Sequence, residues 1–235
     1  MEPVRIAMWS GPRNISTALL RSFGARPDTV VVDEPLYAHY LAETGIEHPG
    51  RDAILASQPT RWQDVAAALT GPLPAGVSVS YQKHMSHHLL PGIGRDWIAR
   101  LSNAFLIRDP AHVVSSYAKV RGAPTLADLG YAQQAELFRS YGGPVVDAAD
   151  VLRDPGTALG RLCDALGIAF DPAMLSWTPG RRPTDGVWAE HWYSAVEASS
   201  GFAPYDPRPA EVPVRLRGLV DEARPFYEEL AAHRI

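Results

Sequence analysis

The stretch Arg5-Ile6-Ala7-Met8-Trp9-Ser10-Gly11-Pro12-Arg13-Asn14-Ile15-Ser16-Thr17-Ala18-Leu19-Leu20 decides how the chain reads. A short apolar run enters a Gly-Pro turn, meets a basic residue, and leaves through hydroxyl residues into a helical pattern. An unbroken apolar run is expected of a parallel strand covered on both faces. Amides at the mouth of the following helix carry partial positive charge and donate to anions. Arg13 adds a full charge and a fork of donors, and Ser16 and Thr17 add hydroxyls. That is the chemistry of a phosphate cradle. It is not the nucleoside-triphosphate P-loop, whose pattern G-x-x-x-x-G-K-[ST] supplies a lysine for the phosphates and a hydroxyl for Mg²⁺. This loop has no second glycine and no lysine.

Working outward, short apolar runs alternate with helical patterns, the mark of an α/β sheet. Strands are expected at Arg5–Trp9, Thr29–Val32, Val77–Gln82, Ala104–Ile107 and Pro144–Asp147. Helices are expected at Ser16–Phe23, Trp62–Leu69, Pro110–Val120, Leu126–Ser140, Pro155–Leu166 and Leu216–Ala232. The helix from Pro155 carries the best signals: Asp154 to cap it, Pro155 at its first position, Gly167 just past its end. Gly45–Pro59 and Thr178–Asp185 read as loops, the second followed by an aromatic run to Tyr205. Together these imply a P-loop-like three-layer α/β/α architecture around a mostly parallel central sheet, with 1–235 as one domain.

Composition narrows the function. The 235 residues carry a net charge of −4, 46% hydrophobic and 20% charged residues. That excludes a disordered or coiled-coil chain and gives no support to non-specific nucleic-acid binding or a polybasic membrane anchor. Any anion site must be a local cluster of positive charge. Cys163 is the single cysteine, so no intrachain disulfide forms; among Leu159, Leu162 and Leu166 it reads as a small apolar core residue. No apolar run approaches the ~20 residues that span a bilayer, and the N-terminus lacks the apolar core of a signal peptide, so a cytoplasmic protein is expected.

Two more basic segments join the first. Ala104-Phe105-Leu106-Ile107 ends in Arg108-Asp109-Pro110, and Ser116 follows two helical turns later. An arginine at the C-terminal end of a strand lies on the edge where open α/β sheets bind ligands. The run Arg181-Arg182-Pro183-Thr184-Asp185-Gly186-Val187-Trp188 adds two arginines in a loop. Taken together, the three segments resemble the PAPS-dependent sulfotransferase family, in its bacterial-type branch. Pro12–Thr17 is similar to the family's 5′-phosphosulfate loop, with Asn14-Ile15 in place of Ser-Gly. Arg108 and Ser116 match its 3′-phosphate pair, eight residues apart. Arg181, Arg182, Gly186 and Trp188 hold the spacing of its closing loop, with Pro183 in place of a glycine. The run Asp154-Pro155-Gly156 and the segment Leu162–Gly167 also resemble the family. The resemblance covers roughly residues 4–190.

The resemblance implies 3′-phosphoadenosine 5′-phosphosulfate (PAPS) as donor, a small hydroxylated molecule as acceptor, and no metal. It implies Arg13, Asn14, Ile15, Ser16, Thr17 and Ala18 at the 5′-phosphate, and Arg108, Ser116, Arg181 and Arg182 at the 3′-phosphate. Arg13 would also stabilise the bridging oxygen as it leaves. A base must take the acceptor proton. Glu34, in Val31-Val32-Asp33-Glu34-Pro35, resembles the catalytic glutamate of carbohydrate-type sulfotransferases and is the favoured base. His84 follows, then His87 and His88, while Lys83 is expected to help bind the transferring group. Tyr37, His39, Tyr40, Trp62, Trp188, Trp192, Tyr193, Phe202 and Tyr205 supply aromatics for an acceptor pocket. An ATP-dependent small-molecule kinase of related fold and a catalytically silent nucleotide-binding protein are the alternatives.

Overall fold

The computed structural model describes residues 3–119 and 124–235. Five strands form the sheet: β1 (Val4–Ser10), β2 (Thr29–Asp33), β3 (Val79–Met85), β4 (Ser102–Ile107) and β5 (Val145–Asp147). Their spatial order is β2-β3-β1-β4-β5, and each neighbouring pair is parallel. Consequently every strand delivers its C-terminal residue to the same edge. The chain leaves β1 toward β2 on one side and leaves β4 toward β5 on the other. The loops after β1 and β4 therefore diverge, and a crevice opens between them, as at the switch point of other open α/β sheets.

The apolar runs explain the burial. Along β1, Ile6 and Met8 face one layer while Ala7 and Trp9 face the other, and all four are fully buried. The first layer holds α1 (Ser16–Gly24) and, later in the chain, Leu159, Leu162 and Cys163. The second holds Val65 and Leu69, Ala135 and Leu137, and Leu230. This is the expected three-layer arrangement, and Cys163 is a core residue within it.

The remaining helices are α2 (Tyr37–Thr44), α3 (Arg51–Ser57), α4 (Trp62–Thr70), α5 (Pro110–Ala118), α6 (Leu126–Leu129), α7 (Tyr131–Tyr141), α8 (Ala148–Arg153), α9 (Pro155–Ala165), α10 (Ala189–Trp192), α11 (Ser194–Glu197) and α12 (Arg217–Ala231). Helix α9 is signalled as expected: the Asp154 carboxylate accepts from the Thr157 amide, and Gly167 follows at φ 70°. Val120, the last residue of the expected 110–120 helix, lies outside the described residues.

Several expectations are corrected. The helix expected at Leu126–Ser140 is two helices, because Gly130 adopts φ 73° and breaks the ladder. Thr125 and Asp128 close a capping box on the first piece, a local competitor that periodicity does not register. The Gly45–Pro59 loop contains α3, which buries only Ile54 of its seven residues and so shows almost no periodic signal. Strand β3 runs on to Met85, past its expected end at Gln82, and carries Lys83 and His84 into the sheet. Among the described residues no helix is long and apolar enough to cross a membrane.

The two helical pieces matter for the crevice. The Gln134 amide on α7 donates to the carbonyls of Trp9 and Leu106, both at 2.9 Å, and so ties β1 to β4 where their loops part. Gly11 packs against the end of α6: a methyl there would stand 2.4 Å from the Leu129 carbonyl oxygen. Replacing Gly11 with Ala should therefore destabilise the fold by about 1–3 kcal/mol, the usual cost of overpacking. Urea unfolding of G11A and wild type measures this, and equal midpoints would contradict the packing described.

Candidate functional site

A cleft of about 1070 Å³ lies along the C-terminal edge of the sheet. Its cradle end is the turn from Pro12 to Ala18. Helix α1 has no side-chain cap and no acidic residue in its first turn. Among the described residues, the amides of Ser16, Thr17 and Ala18 have no hydrogen-bond acceptor. Three free amides and the positive end of the helix dipole thus face the cleft. Asn14 shapes the turn rather than facing a ligand. Its amide donates to the Leu106 carbonyl at 3.1 Å and its oxygen accepts from the Ile15 amide at 2.9 Å.

Two guanidiniums meet at this end. Arg108 Nη1 donates to the Arg13 carbonyl at 2.8 Å, and Arg13 Nε donates to Ser116 Oγ at 3.0 Å. The Tyr131 hydroxyl fixes the Arg108 carbonyl at 2.6 Å. Among the described residues neither arginine has a carboxylate within salt-bridge distance. Burial, with Arg13 close by, lowers the Arg108 pKa from its ordinary value, against Tyr131, which raises it. An arginine pair left without a counter-charge beside free helix amides is suited to a phosphate-type anion.

The second end is built around Lys83. Its ammonium, 2% exposed, donates to Asp33 Oδ1 at 2.9 Å, Glu34 Oε1 at 2.7 Å and the Tyr193 hydroxyl at 2.6 Å. Burial works against the charged form of Lys83, but Asp33, Glu34 and Tyr193 outweigh it and hold the pKa well above its ordinary value. Burial raises the Glu34 pKa, helped by Asp33; Lys83 opposes the rise without cancelling it. Glu34 therefore gives up its proton at higher pH than an ordinary glutamate.

Arg13 (φ 55°) and Glu34 (φ 41°) are the non-glycine residues with positive φ among those described. Arg13 lies in the turn three residues past the end of β1, and Glu34 directly follows β2. Such backbone costs about 1–3 kcal/mol per residue and persists where the surroundings over-determine it. Around Glu34 they do: its amide donates to the Lys83 carbonyl at 2.9 Å, its carbonyl accepts from Tyr37 at 3.0 Å and Gln58 at 3.2 Å, and Lys83 holds its carboxylate.

Arg13, Asn14, Ile15, Ser16, Thr17, Ala18, Glu34, Lys83, Arg108 and Ser116 all line the cleft. His84 does not. Strand alternation turns it to the opposite face from Lys83, where it stacks on Trp9 at 4.3 Å and meets Gln82 Oε1 at 3.2 Å. Burial pushes its pKa down to about 3. Arg181 and Arg182 also stand outside the lining. Arg181 is exposed, and Arg182 donates to the Thr178 carbonyl at 2.7 Å. Their loop is anchored elsewhere, by a buried Arg21–Asp185 ion pair on α1 and by the Arg182 amide on Asp185 Oδ2 at 2.7 Å. Lys83 has a different setting from the one expected, since all three of its donors serve protein acceptors. His87 and His88 do line the cleft, with His88 stacked between Tyr37 and Tyr40. Asp33 and Gln58 have site roles that sequence reasoning missed, and Tyr193, expected among the acceptor-pocket aromatics, lines the cleft with an unforeseen contact to Lys83. The consecutive acids at a strand end were a usable signal for Asp33; the Tyr193–Lys83 contact spans 110 residues and had none.

A parallel five-stranded sheet with a cleft at its switch point defines the class, an α/β protein of P-loop-like architecture. Comparison with known proteins gives the family. The family model described as "Sulfotransferase domain" matches residues 4–234, and the chain belongs to that family. In Arabidopsis thaliana, two proteins named branched-chain-amino-acid aminotransferase-like protein 1 and 2 are 37% and 32% identical to it over 99% and 97% of the chain. The chain spans only 42% and 41% of their lengths, so their names describe much longer proteins. Two solved structures share the fold. A sulfotransferase domain from the curacin biosynthetic pathway has a TM-score of 0.56 at 16% identity, covering 97% of this chain and 98% of its own. A sulfotransferase from Alicyclobacillus acidocaldarius has a TM-score of 0.56 at 15% identity, covering 100% and 98%.

Removing the ammonium of Lys83 would leave Asp33 and Glu34 facing each other without a cation. Lys83→Met should cost about 3–5 kcal/mol of stability at neutral pH, as for other broken buried pairs. Chemical denaturation at pH 7 checks this; a loss below about 1 kcal/mol would show that the network is not held by charge.

Proposed function

We propose that this chain transfers a sulfuryl group from 3′-phosphoadenosine 5′-phosphosulfate to a hydroxyl of a small acceptor, with Glu34 as general base. The observation that carries the reading is the convergence of Arg13, Arg108 and Ser116, unneutralised, beside the free amides of α1, in one cleft with the buried Glu34. A donor with phosphate at both the 3′ and 5′ positions needs cationic grips, and the gathering of Arg13 and Arg108 in the crevice between the β1 and β4 loops supports this reading. The residues present fit that donor: Arg13 and the Ser16–Ala18 amides for the 5′ end, Arg108 and Ser116 for the 3′-phosphate. A kinase reading is not favoured, because the loop has no lysine and Lys83 is committed to carboxylates.

In the transfer, the acceptor O–H bond breaks and its proton passes to Glu34 while the acceptor oxygen bonds to sulfur. The S–O bond to the 5′-phosphate breaks, and the electron pair leaves with that phosphate. Positioning and charge stabilisation carry such in-line displacements. Arg13 and the amides of α1 stabilise the charge that gathers on the leaving phosphate. Glu34, with a raised proton affinity, is better matched to a proton-transfer task near neutral pH than an ordinary glutamate.

Direct binding tests the donor end. Adenosine 3′,5′-bisphosphate should bind more tightly than ADP, and Arg108→Ala should weaken the bisphosphate about 10–100-fold, the worth of hydrogen bonds to a charged group. Calorimetry that finds ADP equal or better would overturn the donor assignment. The base is tested by turnover with labelled donor and a panel of hydroxylated acceptors. Glu34→Gln should lose about 10²–10⁴-fold in kcat. Because Glu34 must be deprotonated to act, wild-type kcat/KM should fall as pH drops, along a limb displaced above the usual carboxylate range. Full turnover in E34Q would move the base elsewhere.

A further inference from the structure

An ammonium carries three N–H donors, and at Lys83 three protein acceptors take them. No donor remains for an oxygen of the transferring group. The third acceptor, Tyr193, is itself tightly placed. It lies between α10 and α11, is 3% exposed, donates to Asp33 Oδ2 at 2.7 Å, and accepts from Trp188 Nε1 at 3.2 Å. The Gly186 amide lies 3.4 Å from the same Asp33 oxygen. Both Asp33 oxygens are thus engaged, one by Lys83 and one by Tyr193. On Glu34, Lys83 occupies Oε1, which leaves Oε2 to take a proton.

We infer that Tyr193 is a positioning residue for Glu34: with Asp33 it saturates Lys83, so that the ammonium holds one oxygen of the base and stays off the transferring group. The inference rests on the reading of Glu34 as base. Tyr193 shares the negative charge of Asp33 by donating to it, and it gives Lys83 an acceptor between the two carboxylates. Without the hydroxyl, Lys83 is drawn toward Asp33 and holds Glu34 less firmly, so Glu34 binds its proton more tightly. The segment that brings Tyr193 in is fastened to α1 by the buried Arg21–Asp185 pair.

The test titrates Glu34 directly and needs no acceptor. Carboxyl-¹³C glutamate is incorporated into the full chain, E34Q identifies the resonance, and wild type is compared with Tyr193→Phe. The expected result is a Glu34 midpoint about half to one pH unit higher in Y193F. The Kd for adenosine 3′,5′-bisphosphate should remain within about twofold of wild type, since Tyr193 touches none of the cradle residues. An unmoved midpoint in folded Y193F overturns the inference. If Y193F does not fold, Trp188→Phe, which removes the donor to the Tyr193 hydroxyl together with part of a buried ring, is read by the same titration and the same criterion. The base reading fails separately, through turnover retained in E34Q, whatever the titration shows.

Discussion

One buried ammonium governs the chemical half of this molecule. Lys83 lies near the C-terminal end of β3, between two consecutive carboxylates at and just past the end of β2 and a tyrosine from far along the chain. Taking three ionisable groups out of water is costly, and attraction offsets that cost only when every donor and acceptor is matched. Here all three Lys83 donors and both Asp33 oxygens are matched, one Glu34 oxygen is left over, and burial together with these neighbours sets that glutamate's proton affinity. The left-handed backbone of Glu34 is a further cost carried by the same network, since Lys83 holds both its amide and its carboxylate.

The opposite end of the cleft follows a complementary logic. There, among the described residues, Arg13 and Arg108 have no carboxylate within salt-bridge distance, and a short strand-to-helix turn is fixed by neutral hydrogen bonds from Asn14, Gln134 and Tyr131. The division is physically sensible. On the proposed reading, the groups that would meet an anionic ligand stay unpaired, whereas the base, Glu34, is enclosed. The chain belongs to the sulfotransferase-domain family, and the fold likeness to bacterial and biosynthetic-pathway sulfotransferase domains extends over nearly the whole chain.

Much of this was legible in the residues. The unbroken apolar runs marked the parallel strands, and the Pro12–Thr17 turn, Arg108 with Ser116, and Glu34 pointed to groups that the fold does gather into one cleft. The reading of His84 failed for a simple reason. A strand sends successive side chains to opposite faces, and once β3 is known to run to Met85, Lys83 and His84 cannot serve the same cavity. Arg181 and Arg182 hold the family's spacing, but spacing does not fix where a loop docks; Asp185 is captured by Arg21 and sets the loop on α1. The helix break at Gly130 depended on one backbone angle.

By itself the sequence determined what is local. Periodicity selected strand or helix, the Gly-Pro turn led the first strand into a helix, and Asp154 with Pro155 and Gly167 bounded a helix, because each of these acts within a few residues. The tertiary structure decided what depends on distance. Only the parallel order β2-β3-β1-β4-β5 puts five strand ends on one edge, and only the return of the chain near residue 193 gives Lys83 its third acceptor. Proton affinity and ion pairing scale with separation and burial, and neither quantity exists until the chain has folded.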